Sequence, residues 1–547
     1  MHVRRPVNAD VRFLTMNTST AKMLISLMTA NRIAICYLIL YSVGLIVFAP
    51  IIHPIEEIDN AERDGYVQAA DTIYRGGLPH DKYRPLLYPL LAAGVRHASP
   101  FDSFRSAQVV TILASIALLW MMYFISKRFL SDYPALLCTV LLSLNFVYIY
   151  NAVLTTTDML FSALSLATLY AALRHNEKPG FASACLLGSL FALAFFTRYT
   201  AIFLAAPIAI AVCFTPTFRV KESAKYGTAF VVAMLLCLVP HFVLTYVQFG
   251  QILYTENIRN VAWKIGDEDY YAWPYYSQLP YDEILDILRA RYRLVFIYGF
   301  DSIKQIIDAS FRFISAPSSW ARFIIVDLGL LLGLIAILAE RKWKLVIVLV
   351  ALTSYTVLIG LTFFPYPRIM LPTVPLIYIL SFYGLQQIFS RFISVESIRR
   401  YYISLGLVLV LLFGLYLPGS LARFWWRHPI AEVNAIQALS QKVGPSAHIM
   451  ATIPEAWRHV SGEFTYMPDL NVRIADPGSE PEYQLEAFME FLYKLCKEEQ
   501  IDYIVYGNVS RRNRPEQLLH ATDVPSWLTA IETNRLFVVY QVNIVNE

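Results

Sequence analysis

Residues 33–52 read I-A-I-C-Y-L-I-L-Y-S-V-G-L-I-V-F-A-P-I-I, a run without a charged side chain. As a helix, about 20 apolar residues cross a hydrocarbon core of ~30 Å, so this stretch is long enough to span a bilayer. It is too long for a signal-peptide core and has no small-residue cleavage site, and so reads as a retained first span. The composition agrees. Of 547 residues, 57% are hydrophobic and 16% are charged, whereas a soluble domain is about a quarter charged. Of the six cysteines, Cys36, Cys138, Cys185, Cys213 and Cys237 fall in apolar runs, and Cys496 is alone outside them. No disulfide framework is expected from that distribution.

Working outward, the chain divides into about eleven spans, near 33–52, 106–126, 133–150, 158–173, 181–196, 199–215, 227–248, 321–339, 344–364, 370–390 and 402–420. Basic residues gather at Arg4/Arg5, Lys127/Arg128, Arg174/Lys178, Arg219/Lys221/Lys225, Arg341/Lys342/Lys344 and Arg391/Arg399/Arg400. With this span order, all six clusters share the face of the N-terminal segment 1–32, and the positive-inside rule makes that face cytoplasmic. The expected fold is a polytopic α-helical membrane protein whose transmembrane domain covers 33–421. Outward lie the loops 53–105 and 249–320, the turns at Asn151–Asp158, Arg198 and Phe364–Arg368, and everything after about 421. The tail 428–547 has helical apolar spacing at Ile430–Val443 and Gln484–Glu499. Its runs at His448–Thr452, Asp502–Tyr506 and Leu536–Val542 are β-rich. It is expected to form a small extracytoplasmic α/β domain.

The outward pieces hold the chemistry-bearing residues. Residues 62–89 read E-R-D-G-Y-V-Q-A-A-D-T-I-Y-R-G-G-L-P-H-D-K-Y-R-P-L-L-Y-P. Asp59, Glu62 and Asp64 place three carboxylates within six positions. They repel one another unless protonated, metal-bound or matched by cations. Such a cluster reads either as a solvated juxtamembrane loop or as a general base beside a phosphate-site organiser. Arg84 precedes Pro85 at the start of an apolar run, where a guanidinium either snorkels beside interfacial tyrosines or grips a phosphate with a fork of donors. Asp158, after Thr155-Thr156-Thr157, is either a helix N-terminal residue favoured by the dipole or a second active-site acid. Arg198 and Arg368 stand at outward turns, where topogenic arginines are not expected and an anionic ligand supplies a reason. In the loop 249–320, Trp263, Tyr270, Tyr271, Trp273, Tyr275 and Tyr276 surround Asp267, Glu268 and Asp269. That mixture suits either sugar binding or an aromatic belt.

In order and topology these segments resemble the GT-C superfamily of polytopic glycosyltransferases, in particular bacterial relatives of protein O-mannosyltransferases and aminoarabinose transferases. The matching residues are Glu62 or Asp64, Tyr66, Ala70, Gly76, and Arg84-Pro85-Leu86-Leu87-Tyr88-Pro89. Asp158 resembles the family's second outward acid, Arg198-Tyr199 its basic residue before a span, and Arg368 with Pro372 and Pro375 its late arginine. Two departures from the pattern matter. The acidic pair is irregular, with Glu62 four and Asp64 two residues before Tyr66. Arg84 stands where a lysine is common, and Leu86 where a second proline is.

The resemblance implies an inverting enzyme of the inner membrane, with its C-terminal domain extracytoplasmic. Its donor would be a polyprenyl-phosphate-linked sugar, hexosyl or pentosyl, and its acceptor an outward lipid, glycan or protein hydroxyl. Asp64, favoured because Gly65 lets the backbone approach a ligand, or else Glu62 or Asp59, would be the base. Asp158 would be a second catalytic acid. Arg84, Arg198 and Arg368 would hold the lipid phosphate, and Tyr66, Tyr88 and Asp59 would contact other parts of the substrate. No cofactor is certain; a divalent cation (Mg or Mn) on Asp64 and Asp158 is compatible with oxygen ligands. The partners are donor, acceptor and membrane lipid, with no nucleic acid. Two other classes fit the hydropathy: a secondary transporter or lipid flippase, and an inactive envelope scaffold. A transporter usually has ionisable groups at the midplane and two related halves, whereas here the charges gather at the surface and no halves match.

Overall fold

The structure, a computed structural model, describes residues 30–53, 65–79, 84–213, 220–255, parts of 289–300, 327–340, 343–362, 368–392, 447–451, 463–466, 481–507, 524–533 and 537–544. Within 30–392 the chain forms helices α1 (Ala30–Ile52), α2 (Tyr66–Tyr74), α3 (Leu87–Ala98), α4 (Ser103–Ser126), α5 (Asp132–Ser143), α6 (Phe146–Val153) and α7 (Asp158–Glu177). Next come α8 (Phe181–Thr197), a 3₁₀ helix (Tyr199–Leu204), α9 (Ala205–Cys213), α10 (Val220–Phe249), α11 (Gly329–Glu340), α12 (Trp343–Thr362) and α13 (Val374–Phe392).

By length and composition, α1, α4, α10 and α12 can each cross a bilayer, and the bent pair α5–α6 passes the same test when taken as one unit. Shorter apolar helices occur at α8, the 3₁₀ helix with α9, α11 and α13. Ten of the expected spans thus coincide with helix; the run 402–420 lies outside the described residues. The expected single span 133–150 is bent by 57°. The cause is Asn145, whose side chain accepts from the amides of Val147 (2.9 Å) and Tyr148 and so caps a new helix inside the apolar run.

The spans differ in what surrounds them. Helix α1 exposes Ile35, Ile39, Leu40, Val43, Ile46, Val47, Phe48 and Ile51, a surface suited to lipid. Helix α7 is buried on nearly every side and carries Ser162, Ser165, Thr168, His175 and Asn176 without exposure. Protein, not lipid, surrounds these polar groups, and Ser162 and Thr168 donate to carbonyls one turn back. Small residues bring other helices together. A methyl group at Gly384 of α13 would overlap backbone atoms of Gly329 and Gly333 in α11, and one at Gly188 of α8 would overlap the Phe230 carbonyl of α10. Small-residue contacts of this kind let membrane helices pack backbone to backbone.

In the tail, five strands form one sheet in the order β2-β1-β3-β5-β4, from β1 (His448–Ala451), β2 (Glu463–Tyr466), β3 (Tyr503–Gly507), β4 (Leu528–Thr533) and β5 (Phe537–Val542). β1 runs parallel to β2 and β3, while β5 pairs antiparallel with β3 and β4. Leu492 and Cys496 of helix α14 (Pro481–Glu498) pack with Met450, Ile504, Val538 and Tyr540 in a core belonging to this region.

Candidate active site

The loop that follows α1 is anchored on both sides. At the C-terminus of α1, Arg105 donates to the carbonyls of Pro50 and His53, and Gln108 donates to that of His53. These are carbonyls a helix end leaves without intrahelical partners. The chain returns to the described structure at Gly65, whose φ of 69° is a left-handed turn that opens α2. Glycine takes this conformation without steric cost. Asp59, Glu62 and Asp64 fall between these anchors, outside the described residues. So does the aromatic and acidic run near 263–276.

Tyr66, the first residue of α2, is the hub of the site. Its hydroxyl bonds to Thr157 Oγ1 (3.2 Å), at the N-cap of α7. The Arg84 guanidinium lies 5.6 Å from the Tyr66 ring centroid, a cation–π distance. Tyr88 meets Tyr66 edge-on at 5.6 Å, with its hydroxyl bonded to the Ala107 carbonyl and to Thr111. Tyr88 is fully buried. In this position it supports the Tyr66 ring.

Asp158 stands at the first turn of α7 with only 2% exposure, ion-paired to Arg198. Arg198 lies where α8 stops; its extended backbone breaks the helix before the 3₁₀ turn begins. Asp158 thus stands at a helix N-terminus with a partner 40 residues on. Arg198 also lies 5.9 Å from the Phe161 ring and interacts electrostatically with Tyr66, Tyr355 and Arg368. Arg368 opens a turn, 368–373, that leads into α13.

The structure therefore brings Tyr66, Arg84, Asp158, Arg198 and Arg368 together at one end of the bundle. The sequence reading missed Thr157 and Tyr355. Thr157 was legible as a residue before a helix, but Tyr355 is one hydroxyl in an apolar run, with nothing to distinguish it from Tyr378 or Tyr383. Among the described residues no group of three His, Cys, Asp or Glu side chains could hold a metal ion. A cation at Asp158 would compete with the Arg198 guanidinium, so that residue does not fit a metal ligand.

A model of the dolichyl-phosphate-mannose-protein mannosyltransferase family matches residues 84–243, the stretch that holds Arg84, Asp158 and Arg198. Among solved structures, ArnT from Cupriavidus metallidurans bound to undecaprenyl phosphate superposes with a TM-score of 0.54 at 12% identity. The match covers 93% of this chain and 98% of that one. The archaeal oligosaccharyltransferase AglB from Archaeoglobus fulgidus, in complex with an inhibitory peptide and a dolichol-phosphate, gives a TM-score of 0.52 at 10% identity. There the shares are 86% and 69%. The chain has the GT-C fold. No curated protein matches the sequence. Within the GT-C fold of this chain, the cluster around Tyr66 lies where the first loop, the start of α7 and the end of α8 meet.

Proposed function

We propose that this protein is an inverting glycosyltransferase. It moves a sugar from a polyprenyl-phosphate-linked donor to an extracytoplasmic lipid, glycan or protein hydroxyl. The observation that carries this reading is the gathering of Arg84, Arg198 and Arg368 about Tyr66 and the Asp158–Arg198 pair. Guanidinium forks match phosphate oxygens. ArnT and AglB, which share the fold, were each solved with a polyprenyl phosphate bound. On this reading the site end faces away from the cytoplasm, and the protein lies in a bacterial inner membrane.

The acceptor oxygen bonds to the anomeric carbon as the bond from that carbon to the phosphate oxygen breaks. The bond's electron pair leaves with the lipid phosphate. The transition state is oxocarbenium-like, and the acceptor proton passes to a carboxylate base. Asp64, beside the left-handed Gly65, is the first candidate for that base; Glu62 and Asp59 are the others. Arg84, Arg198 and Arg368 neutralise the charge growing on the phosphate. Asp158 orients Arg198 and is not the base. Any divalent cation would be held by the first-loop acids.

The test is transfer from a panel of radiolabelled polyprenyl-phosphate sugars by the purified protein in lipid, with and without chelator. Turnover of one donor, abolished in Asp64→Asn while expression and insertion persist, is the expected result. Full activity in that variant would move the base to Glu62 or Asp59. No turnover with any donor, alongside donor-independent movement of lipid, would favour a flippase.

A further inference from the structure

Tyr355 of α12 is 1% exposed and contacts α7, the 3₁₀ helix that follows Arg198 and the turn that Arg368 opens. Its hydroxyl donates to the carbonyl of Ile369 (3.0 Å), the residue after Arg368. Its ring lies 6.2 Å from Phe161, one turn below Asp158 on α7, and 6.2 Å edge-on from Phe203 of the 3₁₀ helix that follows Arg198. Its hydroxyl interacts electrostatically with both Arg198 and Asp158. Tyr355 also lines a cavity of about 10 Å³ with Ser165, Leu204 and Thr373.

In the turn 368–373, the Arg368 carbonyl accepts from Leu371 and the Met370 carbonyl from Thr373. The Ile369 carbonyl between them is held from outside the turn, by Tyr355. Two guanidinium groups repel, and one phosphate can bridge them only at a fixed spacing. We infer that Tyr355 is a positioning residue, which ties the Arg368 turn to α7 and the 3₁₀ helix and so sets the spacing of Arg368 from Arg198. This rests on the reading that both arginines share one lipid phosphate.

Farnesyl phosphate, with farnesol as the phosphate-free control, is the probe for purified protein in lipid nanodiscs, and thermal unfolding monitors folding. Tyr355→Phe keeps the ring and removes the hydroxyl. It should weaken farnesyl phosphate binding by about tenfold or more, as small misplacements of binding groups do, and leave farnesol binding unchanged. The loss should disappear in an Arg368→Ala background and persist in an Arg84→Ala background, the non-additivity expected of groups acting through one another. Wild-type affinity in Tyr355→Phe, or an equal loss in both backgrounds, would overturn the inference and leave the phosphate site standing. Wild-type protein that binds farnesol as well as farnesyl phosphate would instead overturn the phosphate reading beneath it.

Discussion

Helix α7 carries a carboxylate at each end, and the two ends are built differently. Its 20 residues rise about 30 Å, close to the thickness of a hydrocarbon core. Asp158 and Glu177 therefore mark opposite surfaces of the bundle. Glu177 sits at a helix C-terminus, where the dipole disfavours negative charge. Two cations offset this: Arg128 at 2.6 Å and Lys344 at 2.9 Å. Arg128 also stacks 4.4 Å from Tyr170. That arrangement ties three segments together and is complete in itself. Asp158 sits at the end the dipole favours and pairs with Arg198, which interacts electrostatically with Tyr66 and Arg368. On the proposed reading this end receives an anion, which the guanidinium groups there would hold. Ion pairs alone do not separate the two ends; on that reading, a bound ligand at the Asp158 end does.

The hardest test of this contrast is Asp158→Asn. Removing one partner from a buried pair leaves the other charge uncompensated. The cost should be about 3 kcal/mol, the low end of the range for such breaks, because the Arg198 side chain keeps 21% of its surface. With Arg198 no longer oriented, transfer per folded molecule should fall by about 10²–10³-fold, as when a transition-state donor is lost. Arg198→Gln should lose comparable activity and less stability, since Asp158 can then take up a proton. Near-normal transfer in both variants would make Asp158–Arg198 a second latch like that at Glu177 and erase the difference between the ends.

Part of this contrast was legible in the sequence. Span parity and basic clusters assigned Arg84, Asp158, Arg198 and Arg368 to one surface, because membrane insertion translates chain order directly into sides. The pairing was not legible. Asp158 and Arg198 lie on different helices, and apolar periodicity gives no rotational register when a helix such as α7 is buried all round. The Gly329, Gly333 and Gly384 contact was likewise unread, since glycines spaced four apart in an apolar run identify a close approach without naming the partner helix. The break at Asn145 had a signal, a capping residue inside a span, which a length criterion alone passes over.

At the other end, Glu177→Gln should leave transfer per folded molecule unchanged. Stability should fall by about 1 kcal/mol or less, as for partly exposed pairs, measured by thermal unfolding in detergent at low and high salt. Most of the effect should vanish at high salt, because the group retains 27% of its side-chain surface and exposed charges are screened. A loss of transfer here would mean that the two ends are coupled through α7.

Asp71 supplies the finest distinction, because it is a latch placed at the site end. It pairs with Arg75 at 2.8 Å and with Arg96, accepts from Ser103 (3.1 Å), and so ties α2 to α3 and the start of α4. Arg96 in turn lies 3.8 Å from the Tyr74 ring. Burial pushes the Asp71 carboxyl upward, but the hydrogen bonds from Arg96 and Ser103 and the charges of Arg75 and Arg96 outweigh it and hold the pKa below the usual carboxylate value. A depressed folded pKa contributes stability that is present above the unfolded value of about 3.9 and is lost as pH falls through the folded value. Thermal unfolding measured from pH 6 down to pH 3 should therefore show an acid-side loss, and Asp71→Asn should remove the part due to this group, lowering stability near neutrality and flattening the acid limb. Farnesyl phosphate affinity at pH 7 should change little, since Asp71 faces Arg96 and Arg75 and not the arginines around Tyr66. If the variant lost affinity as Asp158→Asn is expected to, the phosphate site would extend along α2, and the line between latch and site would run through this helix instead of between the ends of α7.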